Sequence, residues 1–364
     1  MKKKKPNYKL RRNIAKVVLV FIILIPIFMI NKTKIMHAPL YISNSKYSKT
    51  LDAFFQINYN TNETKDILDK LKKNKKIDKV DSNYIVELSN KGYSHNSINY
   101  MLLNLTKTEL TKMLNKKYDK DFEKYILLDL FEWKKYSRYK NYQNKNPKLT
   151  IDEVVTRVSL NLDKDQYEET VEEKNPNSLD ALVNKHRYIS KDYVPNDLVD
   201  MEDGYANNMF GVKEIRKETY EQFKKMVDAA KKEDIVFYAE SAYRDYDYQK
   251  SLYNDYVETN GQEEADKYAA KAGFSEHQLG TTLDIANIWT IEEGDKEYNW
   301  IEKNGYKYGF IFRYKKKFED ITGYAEEGWH IRYVGVKTAT EIHKKGISYD
   351  EYWIKYINKK SSKN

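Results

Sequence analysis

Along the first third of the chain, apolar side chains recur at the three-and-four spacing of helices: Ile67, Leu68 and Leu71, then Ile98, Met101, Leu102 and Leu105, then Leu110, Met113 and Leu114. The stretch from about Thr64 to Tyr142 is therefore expected to be a succession of short amphipathic helices. One junction is well marked. Leu88-Ser-Asn-Lys-Gly-Tyr-Ser94 followed by Ile98 predicts a helix ending at a glycine and a new one starting on a serine cap. From Tyr142 to about Asn177 the chain turns polar, with Pro147 and Pro176 as breaks, and a domain boundary is expected there. Inside that stretch Val154, Val155, Val158 and Leu160 alternate enough to leave helix and strand both open.

Beyond Pro176 strands and helices mix. Leu182 to Lys185 and Tyr193 to Val199 read as extended, and Val212 to Lys232 as an amphipathic helix with Ile215, Phe223, Met226, Val227 and Ala230 on one face. Strands are expected at Ile235 to Ser241, Thr282 to Ala286, Tyr306 to Arg313 and His330 to Val334, with helices at Asp245 to Glu258 and Glu263 to Ala270. Elements in this mixed order predict an α+β domain whose sheet supports a site.

At the N-terminus, Val17 to Ile30 is fourteen residues without a polar side chain, interrupted only by Pro26. Its length lies between a signal-peptide core and a full span of roughly twenty residues. The sequence after Ile30 offers no small-x-small cleavage site and the chain has no Cys to be lipidated, so an uncleaved anchor is expected, with a cleaved signal peptide as the alternative. Lys2, Lys3, Lys4, Lys5, Lys9, Arg11, Arg12 and Lys16, with no acid among residues 1 to 16, hold the N-terminus in the cytoplasm and place the body outside. The expected plan is a cytoplasmic basic segment (1–13), a transmembrane anchor (14–31), a mainly helical module (32–145), a linker (146–176) and a catalytic domain (177–364).

Those eight charges also account for most of the net charge of +9. The remainder is close to neutral, which is not the distributed basic face that phosphate backbones require, so nucleic acid is excluded as a partner. With no cysteine, disulfides, thiolate metal sites and Cys nucleophiles are all excluded. Any metal must be held by nitrogen and oxygen. The 33 tyrosines, with abundant Lys, Asn and Ile, reflect composition rather than chemistry.

The candidate chemistry lies in three late stretches: Ser241-Ala-Tyr-Arg244, Ser275-Glu-His-Gln-Leu-Gly-Thr-Thr-Leu-Asp284 and Glu327-Gly-Trp-His330. A catalytic zinc takes three ligands from His, Asp, Glu or Cys and keeps a fourth position open. His277, Asp284 and His330 meet that need, Glu327 is placed to move the proton of a water, and Arg244 can face a developing oxyanion. His277 and Asp284 are seven apart, so a loop and a strand must carry them, with Gly280 permitting the turn. Trp329 and Tyr333 read as packing residues on a strand. Tyr243 and its neighbours Tyr246, Tyr248 and Tyr253 can line a groove. His37, His95, His186 and His343 have no ligand company.

In type, order and spacing these stretches resemble the VanY-like D-alanyl-D-alanine carboxypeptidases and their D,D-dipeptidase relatives, over roughly residues 178 to 345. The matching residues are Ser241-Ala-Tyr-Arg244 with Gln249-Lys-Ser-Leu-Tyr253, Ser275-Glu-His277 through Asp284, and Glu327-Gly-Trp-His330-Ile-Arg-Tyr-Val-Gly335. The resemblance implies a Hedgehog/D,D-peptidase-like fold, a mixed sheet with flanking helices, and one Zn2+ held by His277, Asp284 and His330. It further implies Glu327 as base and acid, Arg244 on the oxyanion, and Ser275, Gln249 and Tyr243 toward the substrate. Peptidoglycan stem peptides are the implied substrate; the alternatives are a D,D-dipeptidase, an L,D- or D,D-endopeptidase, or a non-catalytic wall-binding protein. A wall or protein partner for residues 32–145 stays open. The chain departs from the pattern at Ala272 and Gly328, where relatives carry proline, and glycine at 328 leaves the backbone beside the base freer.

Overall fold

The computed structural model describes residues 32–207, 213–287 and 290–358. The expected anchor at 14–31 lies outside them, and among the described residues no helix is long and apolar enough to cross a membrane. The chain divides into two compact units, Met1–Lys134 and Lys135–Asn364.

The first unit is helical, with helices at Ser48–Gln56, Thr61–Lys73, Ser82–Asn90, His95–Asn104 and Lys107–Asn115. The last four start where a side chain takes up a free backbone N–H: Asn60 and Thr106 form capping boxes with Glu63 and Glu109, Asp81 accepts from the Asn83 N–H, and Ser94 accepts from the Ser97 N–H. Gly92, at φ +104°, makes the break between helices at the position the pattern predicts. Ile67, Leu68, Leu71, Ile98, Met101, Leu102, Leu110 and Met113 all lie in the interior.

The second unit begins earlier than expected, because the stretch read as a linker is folded. Helix Tyr136–Lys145 is followed by Ile151–Ser159, which opens on a Thr150/Glu153 capping box and buries Val154, Val155 and Val158. Arg138 pairs with Asp163, Arg157 with Asp320, and Asp152 with Lys355 at 2.8 Å. Strand β1 (Val171–Glu172) then pairs in parallel with β2 (Arg187–Tyr188). Strand β3 (Leu198–Asp200) pairs antiparallel with β4 (Glu214–Arg216). The helix expected from residue 212 thus starts only at Lys217, and Ile215 sits in a strand, because pairing with β3 takes up the backbone groups of residues 214–216.

The central sheet contains β5 (Tyr238–Ser241), β6 (Thr282–Ala286), β7 (Phe310–Phe312) and β8 (His330–Tyr333), in the antiparallel order β5-β6-β8-β7. Helix Lys217–Lys231 lays Phe223, Met226, Val227 and Ala230 against one face, where they meet Phe237, Leu283, Ile285, Phe310 and Ile331. Burial of each large side chain of this kind contributes about 1.5–3 kcal/mol. The expected strand 306–313 is only half a strand: Gly305–Tyr308 is a 3-10 turn that ends on Gly309 at φ +88°. The opposite side of the sheet faces helices Tyr246–Asn260 and Gln262–Tyr268 across a cleft.

Lys185 joins three segments of this unit. It is 2% exposed, and its ammonium donates to Gln166 Oε1 at 2.9 Å and to the carbonyls of Asp266 and Gly323, over the Tyr324 ring. All three acceptors are neutral, so burial lowers its pKa from the usual 10.5 to about 8. Between about pH 8 and 10.5 the unfolded chain therefore binds more protons here than the folded one, and stability gains as pH rises through that window. In urea unfolding, wild type should gain stability between pH 7.5 and 9.5 relative to Lys185→Met; parallel pH profiles for the two would refute the assignment.

Candidate active site

Two chain reversals and the register of the central sheet bring the candidate residues together. β5 ends at Ser241, and the chain turns through Arg244 to Asp245, whose carboxylate accepts from the Tyr248 N–H at 2.7 Å and starts helix Tyr246–Asn260. Ser275 caps a 3-10 turn, Glu276–Leu279, by accepting from the His277 N–H, and the turn closes on Gly280 at φ +65°. A Cβ at residue 280 would also lie 2.9 Å from Arg216 Cγ, so glycine is required there twice over. β6 follows at once and carries Asp284, which the β6/β8 register places opposite His330 and the β5/β6 register opposite Ser241.

The side chains converge accordingly. His277 Nε2 and His330 Nδ1 each lie 3.3 Å from Asp284 Oδ1, and the ligand atoms of the three residues fall within 4.8 Å of one another. Glu327 Oε2 is 3.3 Å from His330 Nδ1. Arg244 pairs with the other oxygen of Asp284, and its Nε donates to Ser241 Oγ at 2.9 Å. His277 Nδ1–H donates to the Ala242 carbonyl at 2.6 Å, which leaves Nε2 with a free lone pair aimed at the cluster.

This donor set fits a zinc ion. Asp284 Oδ1 is buried without a hydrogen-bond partner, at the point where two imidazole nitrogens converge, and the set is the borderline N/N/O type that Zn2+ favours. The electrostatics agree. Burial, assisted by Arg244, lowers the His277 pKa to about 4 and keeps it a neutral ligand. Burial would also lower His330, but Asp284, Glu276 and Glu327 outweigh it and hold that pKa well above 6.5, so this spot attracts positive charge. Burial raises Glu327, opposed by His330, and Asp284 is held well below the ordinary carboxyl range by His277 and Arg244 against the cost of its burial.

The cluster floors a cleft of about 250 Å³. Gln249 and Ser275 line it as expected; Gln249 Nε2 donates to the Ala270 carbonyl at 2.8 Å, and its Oε1 is buried without a partner. Tyr243 does not line it. The chain direction that turns Arg244 inward turns Tyr243 away, and the Tyr243 N–H donates to the Glu214 carbonyl beside β4. Trp329, read as a packing residue, does line the cleft. It lies in the turn before β8 rather than in the strand, so strand alternation does not send it to the far face from His330. Tyr333 is a packing residue, 2% exposed, with its hydroxyl donating to Glu218. Leu252, Tyr256, Tyr268, Tyr314 and Tyr324 complete the walls. Tyr256 is four residues beyond Leu252 on one helix, a weak signal that the many tyrosines obscure.

Gly328 is not loose. A Cβ there would meet the Ile291 carbonyl at 2.9 Å and Glu292 Cα at 3.0 Å, so the 291–292 backbone packs directly on it. On either side the Glu327 N–H donates to the Tyr314 carbonyl at 3.0 Å and the Ile285 N–H to the Trp329 carbonyl at 2.9 Å. Packing against Gly328 does here what proline's fixed φ does elsewhere. Gly328→Ala should destabilise the protein by about 1–3 kcal/mol in urea unfolding, the cost of overpacking; a neutral substitution would show that the 291–292 contact does not hold Glu327.

In sequence the chain is similar to known carboxypeptidases. Residues 212–336 match the family model VanY, described as D-alanyl-D-alanine carboxypeptidase. The Bacillus subtilis protein YodJ, named as a carboxypeptidase, is 40% identical over 190 residues, which are 50% of this chain and 69% of that protein. A D-alanyl-D-alanine carboxypeptidase of Enterococcus faecium is 35% identical over 181 residues, 47% of this chain and 56% of the relative. Among solved structures, the LdcB LD-carboxypeptidase is similar at a TM-score of 0.48 with 38% identity, covering 51% of this chain and 90% of that one.

Proposed function

The chain belongs to the VanY family of D-alanyl-D-alanine carboxypeptidases, and we propose that it removes the terminal D-alanine of peptidoglycan stem peptides by zinc-assisted hydrolysis. One observation carries the mechanism. His277 Nε2, Asp284 Oδ1 and His330 Nδ1 meet within 4.8 Å at the floor of a cleft that Glu327 and Arg244 also reach.

His277, Asp284 and His330 would hold the zinc ion, which would supply Lewis acidity for activating a water and polarising the peptide carbonyl. Glu327 Oε2, on the same side of His330 Nδ1, takes the proton of the attacking water and returns it to the leaving D-alanine nitrogen. Its burial raises its proton affinity above that of an ordinary glutamate, which suits a group that must hold the proton between the two transfers. The Arg244 guanidinium faces the oxygen of the attacked carbonyl, and its hydrogen bond to Ser241 aims it there. Ser275 and Gln249, on the cleft wall, hold the D-alanine end. Trp329, Tyr256 and Leu252 cover the peptide from the sides.

The apolar run Val17–Ile30, flanked by basic residues, supports a single-pass anchor with this unit outside the membrane, within reach of wall peptides.

The full chain, loaded with zinc, should release D-alanine from a stem pentapeptide ending in D-Ala-D-Ala, read by mass spectrometry. Glu327→Gln should lower kcat by about 10²–10⁴ and Arg244→Ala by about 10²–10³. Release of intact D-Ala-D-Ala would favour the dipeptidase reading, and cleavage of the tetrapeptide alone an L,D-specific enzyme. No release, or undiminished release by Glu327→Gln, would sink the mechanism.

A further inference from the structure

The mechanism leaves one buried acid unused. Glu276 is 1% exposed, stands between two residues with roles, Ser275 and His277, and borders the cleft, yet its carboxylate is taken up by the buried Arg313 and Arg332. Its Oε1 receives Arg313 Nε at 2.8 Å and lies 2.9 Å from Arg332 Nη1. Its Oε2 has no hydrogen-bond partner, and neither has His330 Nε2, 3.8 Å away. Two buried polar atoms, each without a partner, thus face each other across 3.8 Å.

We propose that Glu276 is a positioning residue for the metal centre: its Oε2 receives the Nε2–H of His330, so that Nδ1 is the nitrogen left free to bind zinc. This rests on the zinc reading of the site.

The two histidines need opposite tautomers, because His277 approaches the cluster through Nε2 and His330 through Nδ1. For His277 the choice is made by the Ala242 carbonyl at its Nδ1. His330 needs an acceptor at Nε2, and Glu276 Oε2 is the group that faces it there. A carboxylate in that place also makes the imidazole a better donor to a metal.

Glu276 is itself immobilised. Arg313 and Arg332, each at most 1% exposed, hold its other oxygen, and Arg313 is held in turn by Asp350 at 2.7 Å. Asn184 donates to the far oxygen of Asp350 at 2.8 Å, and Arg332 Nη2 to the Ala181 carbonyl at 3.0 Å. Two arginines and two carboxylates make a neutral set, so one carboxylate oxygen can be left over for His330 without stranding a charge. If Glu276 served only to neutralise the arginines, nothing would require its second oxygen to be empty and turned toward a ligand ring.

The test is zinc affinity of the full chain by competition with a chromophoric chelator. Glu276→Ala should weaken zinc binding by about 10–100-fold, and Glu276→Gln by less, since its amide oxygen can still accept from Nε2. Thermal unfolding of the zinc-free proteins checks that both variants are folded. Should they not fold, nitrogen-15 NMR of the zinc-loaded wild type reads the same point, because the His330 ring must show a proton on Nε2 and none on Nδ1. Unchanged zinc affinity in both folded variants, or a zinc-loaded wild type without an Nε2 proton on His330, overturns the proposal alone. A wild type that takes up no zinc overturns the zinc reading and this proposal with it.

Discussion

The site depends on one register. In the β6/β8 pair Asp284 stands opposite His330, and in the β5/β6 pair Asp284 stands opposite Ser241, the residue that steers Arg244. Strand side chains alternate, so a slip of one residue would carry Asp284 to the apolar face and Leu283 or Ile285 to the cleft. The apolar face guards against that slip: Leu283, Ile285 and Ile331 are fully buried against helix Lys217–Lys231, and moving them outward would expose the core. Packing on one side of the sheet thereby sets the chemistry on the other.

Behind the ligands lies a second constraint, the enclosed set Glu276, Arg313, Arg332 and Asp350. Arg332 lies two residues after His330 on β8, and the Arg313 N–H donates to the His330 carbonyl at 3.3 Å, so the charges lock the strand that carries the ligand. Such ion pairs contribute little to stability compared with apolar side chains of like volume, but breaking one strands a charge in the interior. The burial that makes them costly also shapes the centre beside them, where His277 is kept neutral and Glu327 gains proton affinity.

The cleft itself is built by elements remote from the ligands in sequence. Helices Tyr246–Asn260 and Gln262–Tyr268 supply Gln249, Leu252, Tyr256 and Tyr268, and Tyr314 and Tyr324 close the other side, with Lys185 fastened over Tyr324. The short segments from 135 to 190, which carry no reacting group, matter because they reach the segment behind this wall through Lys185 at Gly323 and Arg157 at Asp320.

Much of this was legible in the residues. Helix and strand positions around Phe223, Thr282–Ala286 and His330 follow from apolar periodicity, which burial then enforces, and the ligand triad is implied by the resemblance of three short stretches to the VanY-like pattern, in a chain that has only nitrogen and oxygen donors to offer. The Thr150-x-x-Glu153 capping box was also present in the sequence, although polar composition pointed there to a linker. Other features are decided only in three dimensions. No local pattern tells that Tyr243 turns from the cleft while Trp329 turns into it, since a turn, not a strand, sets the direction of Trp329. Gly328 read as freedom and is a close contact, because the atoms that fill the space come from residues 291 and 292. Glu276 stands in sequence between two candidate site residues without a role assigned to it, and only the arrival of Arg313, Arg332 and His330 from distant segments gives it an environment. The sequence by itself determined which groups can do chemistry, because reactivity belongs to the residue type. The tertiary structure alone decided how each is aimed and charged, because direction and proton affinity come from neighbours far along the chain.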